Sequence, residues 1–137
     1  MYHENKIAIV IKNDLLSWQK LNVASFLAGS IAIKFPETHG KPFINASESE
    51  YLPFIKQPIL IYGADELSQL KRAFSRARQR DLHIGIYTKP LFSTKNETEN
   101  HIEMKKCTDE NQDLVGIAIY GEKRKVSKAL DGLKFHE

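Results

Sequence analysis

The sequence predicts a single α/β domain in which helices pack on a largely buried β-sheet. Four short apolar runs are typical of buried strands, and three of them lead into helical patterns. The 137 residues suit one domain better than two, and 42% of them are hydrophobic, which is enough for a core. We therefore expect one domain over residues 1–137, with a variable connection at 36–57 and a long insert at 88–112.

The first strand and helix are predicted near the start of the chain. Residues 6–12 read KIAIVIK, a continuous apolar run with charged ends, which favours a strand buried on both faces. Ser17 is a candidate helix N-cap, and apolar residues then recur at spacings of three and four until Pro36 ends the pattern. A central strand followed by a helix of about 17 residues is the expected result.

The second unit follows the connection, where we expect one short helical turn near residues 51–55; four of the five prolines lie within residues 36–58. Residues 58–62 read PILIY and predict a second buried strand. Asp65 is the expected cap of the next helix. Its apolar stripe is formed by Leu67, Leu70, Phe74 and Ala77.

Two further strands are predicted in the second half, at 82–87 (LHIGIY) and 114–120 (LVGIAIY). The insert between them is unusually long for a loop, and Ile102, Met104 and Cys107 favour a short helix or turn within it. A last amphipathic helix is indicated by Val126, Ala129, Leu130 and Leu133, and residues 133–135 are expected to close the chain.

Several classes of function are excluded by missing patterns. No apolar run approaches the roughly 20 residues that span a bilayer, and residues 1–6 do not resemble a secretion signal, so we expect a cytoplasmic protein with no membrane partner. The single cysteine and five scattered histidines do not predict a metal site. The first strand-to-helix turn has no glycine, which argues against a dinucleotide or phosphate-loop cofactor, and none is expected.

The first strand-to-helix junction, residues 13–20, is the predicted site because open α/β sheets bind ligands beyond the carboxyl ends of their strands. Lys20 is a candidate for holding an anion or stabilising charge in a transition state, or else a solvated lysine. Asp14 is a candidate base, or a residue that only ends the strand. Trp18 either stacks on a ligand or fills the core.

The strongest electrostatic feature is a cationic stripe on the second predicted helix. Arg72, Arg76 and Arg80 lie about 200° from its apolar stripe, and residues 71–80 contain no acid. Guanidinium groups on one helix face can bind phosphates, so nucleic acid is one candidate partner. A solvated, solubilising face is the other interpretation.

The order of motifs resembles the type II peptidyl-tRNA hydrolases. The matching stretches are KIAIVIKNDL at 6–15, PILIYGADEL at 58–67, LHIGIY at 82–87 and DLVGIAIYG at 113–121. Residues 21–23 and 26–27 are most similar to an uncharacterised branch of that superfamily, known as a domain of unknown function. The resemblance implies a three-layer α/β/α sandwich on a mixed four-stranded sheet, often dimeric, that cleaves the ester between a peptide and tRNA.

The resemblance also implies a site. Lys20 aligns with a lysine of the family's Gly-Lys-Gly-Lys stretch, whereas residues 87–90 replace the stretch that carries the family's catalytic aspartate. We therefore expect altered or lost hydrolase activity and a ligand-binding crevice at the site. Its expected members are Asn13, Asp14, Trp18, Lys20, Asn22, Thr88 and Lys89. An active peptidyl-tRNA or related ester hydrolase and an RNA-binding module remain alternatives, with tRNA or another anionic ligand as a candidate partner and a homodimer as a candidate assembly.

Overall fold

The described part of the chain, residues 4–137 of a computed structural model, forms four helices, a five-stranded sheet and a separate hairpin. In chain order the elements are β1 (Asn5–Lys12), α1 (Ser17–Lys34), β2 (Phe43–Ile44), β3 (Glu50–Tyr51), β4 (Ile59–Ala64), α2 (Leu67–Gln79), β5 (His83–Thr88), α3 (Glu97–Lys105), β6 (Leu114–Glu122), α4 (Lys123–Ala129) and β7 (Lys134–Phe135). The mixed α/β class predicted from the sequence is confirmed.

The sheet has the strand order β5-β6-β1-β4-β7 and is built around β1. β1 runs parallel to β4 and antiparallel to β6, and the remaining pairs are antiparallel. Residues Ile7–Ile11 are buried, as the continuous apolar run predicted. Because α1 joins the parallel pair β1 and β4, the carboxyl ends of these two strands meet at one edge of the sheet.

Helices cover both faces of the sheet. On one face Val23, Leu27 and Ile31 of α1 pack on Ile7 and Ile9 of β1 and their neighbours. On the other face α2 and α4 pack on the alternate side chains of the same strands; the buried residues there include Ala8, Val10, Leu70, Ala73, Ala77, Val126 and Ala129. The three-layer α/β/α arrangement follows from this alternation. No helix within residues 4–137 is both long and apolar enough to cross a membrane.

The sheet has five strands, which corrects the expected four. β7 adds to the outer edge of β4, with Phe135 opposite Tyr62 and their rings stacked at 4.6 Å. The backbone N–H of His136 donates to the Ile61 carbonyl oxygen at 2.9 Å. A strand of two residues shows no periodicity, so the sequence pattern did not indicate it.

The connection between α1 and β4 contains a hairpin, and the helical turn expected near 51–55 is absent. After a short 3₁₀ turn at Pro36–Thr38, β2 and β3 pair as a hairpin within residues 41–54, which we call the arm and which are all exposed. The Asn45 side chain accepts hydrogen bonds from the N–H groups of Ser47 and Ser49 at 2.9 and 3.1 Å, and Glu48 adopts φ 62°. This local turn chemistry favours a hairpin over a helix.

The insert contains the predicted short helix. α3 begins before the predicted position because Asn96 caps it, its side chain accepting a hydrogen bond from the N–H of Glu99 at 2.9 Å. A 3₁₀ segment at Lys89–Ser93 links β5 to α3. The insert is therefore folded against the edge of the sheet next to β5.

Candidate ligand-binding site

A crevice of about 660 Å³ lies between α1, the end of β5 and the first part of the insert. One wall is a stripe of α1 residues four apart, which brings Trp18, Asn22, Phe26 and Ser30 onto one side of the helix. The floor is Gly85, Ile86 and Tyr87 of β5, and the far wall is Leu91, Phe92, Thr94, Lys95, Asn96, Glu97 and Asn100. The size suits a small molecule.

Aromatic rings form the apolar part of this crevice. The Trp18 and Phe92 rings meet edge to face with their centroids 5.8 Å apart, and Tyr87 and Phe92 are 5.0 Å apart. Phe26 extends the cluster, 6.1 Å from Tyr87. Trp18 and Phe26 are each more than half exposed, so their rings are open to a ligand. Such rings favour a flat apolar group.

Polar groups form the other part of the lining, which includes neutral amide and hydroxyl side chains as well as Lys95 and Glu97. The Asn22 side chain makes no hydrogen bond to another residue within 4–137 and is free to bind a ligand. The Thr94 hydroxyl lies 2.8 Å from the Leu91 carbonyl oxygen and contacts the Asn100 amide oxygen. Amide groups can donate and accept, so this side of the crevice suits a polar edge of a ligand.

The titratable groups of the crevice are poorly suited to proton transfer. Burial raises the pKa of Tyr87, which keeps its phenol protonated. The Glu97 carboxylate is 88% exposed and lies 3.5 Å from Nε2 of His101, outside the aromatic cluster. Neither Tyr87 nor Glu97 is thus a buried base within this crevice.

Of the residues predicted for this site, Trp18 and Asn22 line the crevice, whereas Lys20 does not. Lys20 is two residues from Trp18, which places it about 200° around α1. Asp14 is exposed and forms an ion pair with Lys12 at 3.4 Å. The two predicted catalytic groups therefore do not reach the space where a ligand fits.

The other predicted members are distributed over two further places. Asn13 lines a separate polar pocket of about 330 Å³ at the carboxyl ends of β1 and β4, and its amide donates to Asp65 at 2.7 Å. Thr88 is buried, and its hydroxyl has no hydrogen-bond partner within residues 4–137. Lys89 is exposed, and its backbone N–H donates to the Asp113 carbonyl oxygen at 2.9 Å. The single shared crevice expected from the sequence is divided in the structure.

The arginine stripe lies beside α4 rather than fully in solvent. Arg76 donates to the Asp131 carbonyl oxygen at 2.9 Å, and Arg80 donates to the Arg76 carbonyl oxygen at 3.1 Å. Arg76, Arg80 and Lys128 line an open groove of about 350 Å³, while Arg72 is exposed near Gly132. Residues 123–128 carry four further cations, Lys123, Arg124, Lys125 and Lys128, and the fold places this segment on one face with residues 71–80.

Sequence reasoning missed most of the crevice, including Phe26, Tyr87, Phe92, Asn96 and Asn100. The sequence contained one signal for the α1 wall of the crevice. Trp18, Asn22, Phe26 and Ser30 recur every four residues beside the core stripe of α1, which predicts a second helix side with its own contacts.

Fold and crevice together define a mixed α/β domain with a small-molecule-sized site. The chain belongs to the DUF2000 family: the family model, described as a protein of unknown function, matches residues 5–137. The solved structure of a protein of unknown function from Agrobacterium tumefaciens is similar, with a TM-score of 0.95 and 29% identity over 99% of this chain and 100% of that one. No curated protein matches. Neither finding links the chain to the type II peptidyl-tRNA hydrolases.

Proposed function

We propose that this protein is a ligand-binding domain related in fold to the type II peptidyl-tRNA hydrolases, with altered or lost hydrolase activity. The ligand we propose is a small molecule with a flat apolar ring and a neutral polar edge, bound in the crevice between α1 and the insert. The observation that carries the proposal is the pairing of an open aromatic cluster with an unpaired Asn22 amide in one crevice.

Binding is favoured over catalysis by where the charged groups lie. A hydrolase needs a group that orients or deprotonates water next to the bound ester. Lys20 and Asp14 are not on the crevice, and the charged groups that are, Lys95 and Glu97, lie on its insert wall, where Glu97 is 88% exposed. Burial raises the pKa of Tyr87 further above neutral, so its phenol is not a base. The lining supplies hydrogen bonds and ring contacts, which select a ligand without changing it.

Binding is tested by NMR with flat aromatic amides such as benzamide and nicotinamide as probes. Trp18 is the only tryptophan, so its indole N–H gives one assignable signal at the crevice. We expect millimolar probe to shift this signal and the side-chain amide signals of Asn22 and Asn100.

A variant with a filled crevice tests whether the probe binds there. Ser30→Leu places a larger side chain inside the crevice and is expected to weaken probe binding by about tenfold or more. Ser75→Leu makes the same change on an exposed position of α2 and should leave binding unchanged. Equal effects of both variants, or no shift with any probe, would contradict the proposal.

Hydrolase activity is tested with N-blocked aminoacyl-tRNA by following ester release. We expect no release above the uncatalysed background, for wild type or for Lys20→Ala. Release by wild type that is lost in Lys20→Ala would favour the active hydrolase and overturn the proposed loss of activity.

A second candidate function, RNA binding, is favoured by the joined cationic face of α2 and α4. If phosphates bind there, tRNA affinity should fall steeply with added salt, and the double change Arg72→Glu and Arg76→Glu should reduce both affinity and salt slope. The control is the double change Lys41→Glu and Lys56→Glu, which alters the net charge by the same amount at exposed positions outside α2 and α4. Filter binding that does not distinguish the two double variants would show that this face is only solvated.

A further inference from the structure

The outer face of α1 is uncharged along most of its length. We define this face by Trp18, Asn22, Ser25, Gly29 and Ile33, which lie opposite the side that packs on the sheet. No charged residue occurs between Lys20 and Lys34. A helix side that meets only water normally carries charges.

This outer face is also open, with large apolar residues at both ends and along both sides. At its ends Ile33 is 86% exposed and Trp18 is more than half exposed, and Leu21 and Phe26, which flank the face, are also more than half exposed. A Cβ atom added to Gly29 would have no atom within 4 Å. A helix that is apolar on both sides is usually buried on both sides, so a surface that covers the outer one is missing from the isolated chain.

The arm, which follows α1, exposes a second apolar surface. Its large exposed side chains are Phe43, Ile44, Tyr51, Leu52 and Phe54. The Phe43 and Phe54 rings contact each other with centroids 4.7 Å apart, and Leu52 is 85% exposed. An isolated two-stranded hairpin is marginally stable in water, so the arm too lacks a covering partner.

The two surfaces are large enough together for a stable dimer. With fully exposed large side chains counted at about 150–250 Å² each, they present on the order of 1,000 Å² of apolar area. A specific interface buries about 800 Å² per partner, whereas a monomer rarely exposes apolar patches above a few hundred Å².

We propose that a second copy of this chain covers both surfaces, with the outer faces of the two α1 helices packed antiparallel about a two-fold axis near Ser25. An uncharged face can meet its own copy without like-charge repulsion. The antiparallel pairing places Trp18 opposite the second copy's Ile33, and Asn22 opposite the second copy's Gly29. Large residues thus meet at the ends and small ones near the crossing, which allows close approach of the helices.

The arm fits the same assembly. His39 Nε2 donates to the Ala32 carbonyl oxygen at 2.6 Å and so fixes the base of the arm to the end of α1. In an antiparallel pair this end lies beside the start of the second copy's α1, where Leu16 and Leu21 are exposed. The inference does not depend on the proposed ligand, although Trp18 and Asn22 belong to both the crevice lining and the outer face, and Phe26 lies between the two.

Sedimentation velocity of the full chain tests the dimer. Wild type is expected at twice the chain mass of 15.7 kDa. Gly29→Glu should give a folded monomer, because the site is open and glutamate is a better helix former than glycine. Ile102→Glu places the same charge on an exposed apolar position of α3 and should remain dimeric. A monomeric wild type, or equal dissociation of both variants, would overturn the proposal.

Two more variants locate the contacts. Leu52→Glu should weaken the dimer about tenfold or more if the arm lies in the interface. Ser25→Cys in a Cys107→Ser background should form covalent dimers on mild oxidation, and Ile102→Cys in the same background should not. The proposed dimer is refuted if neither Gly29→Glu nor Leu52→Glu weakens association and Ser25→Cys forms no covalent dimer. Such a result would mean that the two copies associate through other surfaces.

Discussion

At the scale of single residues, the contact between α1 and the sheet depends on a glycine. Gly116 of β6 lies directly below α1, and a Cβ atom there would collide with Val23 Cγ1 and crowd Leu27 Cδ1 at 3.3 Å. Both neighbours are buried in the same core, which leaves them little room to move. The absence of a side chain at Gly116 therefore sets how closely α1 approaches the sheet.

We expect Gly116→Ala to lower the free energy of unfolding by about 1–3 kcal/mol, because it overpacks this core. The matched control is Gly29→Ala, on the open side of the same helix, where the gain in helix propensity should stabilise the protein by up to about 1 kcal/mol. Urea denaturation of both variants, at a protein concentration low enough that the proposed dimer is dissociated, measures the difference. The changes in the free energy of unfolding of the two variants must have opposite signs. A Gly116→Ala variant as stable as wild type would contradict the prediction and show that α1 can shift away from the sheet.

At the scale of elements, α4 depends on a charged cap. The Glu122 carboxylate accepts hydrogen bonds from the N–H groups of Arg124 and Lys125, each at 3.1 Å. The Arg124 N–H is the main cause that lowers the Glu122 pKa below its ordinary value of 4.5. Because the folded pKa is the lower one, this cap stabilises the fold above about pH 4.5, and the contribution is lost as pH falls through the folded value.

Glu122→Gln is therefore expected to destabilise the protein at neutral pH and to differ less from wild type as the pH falls below 4.5. Urea denaturation from neutral to acidic pH measures this difference. Glu110→Gln removes an exposed carboxylate in the insert, which forms no hydrogen bond within residues 4–137, and should not show the trend. A constant Glu122→Gln effect at every pH would exclude the charged cap.

The sequence predicted the elements better than it predicted the site, for physical reasons. Residues 6–12 and 114–120 are buried on both faces of the sheet, and such strands need continuous apolar runs, which are visible in the sequence. The β7 pairing and the aromatic cluster depend on contacts between distant segments. Trp18 was recognised as a candidate, but its neighbour Phe92 is brought beside it only by the folded insert.

Lys20 is a single-residue example of this limit on predicting a site from the sequence. A lysine in the first turn after a strand is a reasonable site candidate. Whether it faces the crevice depends on the rotation of α1, which is set by Val23, Leu27 and Ile31 packing on the sheet. That rotation turns Trp18 and Asn22 toward the crevice and leaves Lys20 outside its lining.

At the scale of the whole molecule, the arm is separate from both core clusters. None of its residues, 41–54, is buried, whereas the segments at its base are held by backbone hydrogen bonds from Gly40 to Phe54 and from Lys56 to Thr38, each 2.9 Å. The body of the domain therefore does not need the arm for its own stability.

Replacing residues 43–52 with a short Gly-Ser turn should change the unfolding free energy of the monomer by less than about 1 kcal/mol, since only loop length changes. The comparison is made in the Gly29→Glu background, so that association does not contribute. Thermal and urea denaturation measure the outcome. A large loss of stability would mean that the arm packs on the body of its own chain.

The pairing of β1 with β6 has a consequence for synthesis in the cell. The strand in the middle of the sheet leaves the ribosome well before its partner β6, because the paired residues Asn5 and Glu122 are 117 positions apart in the chain. Such distant pairing makes folding slow and postpones it until β6 has been synthesised. Until then the hydrophobic first strand is unprotected, and nascent chains halted before residue 114 are expected to recruit chaperones.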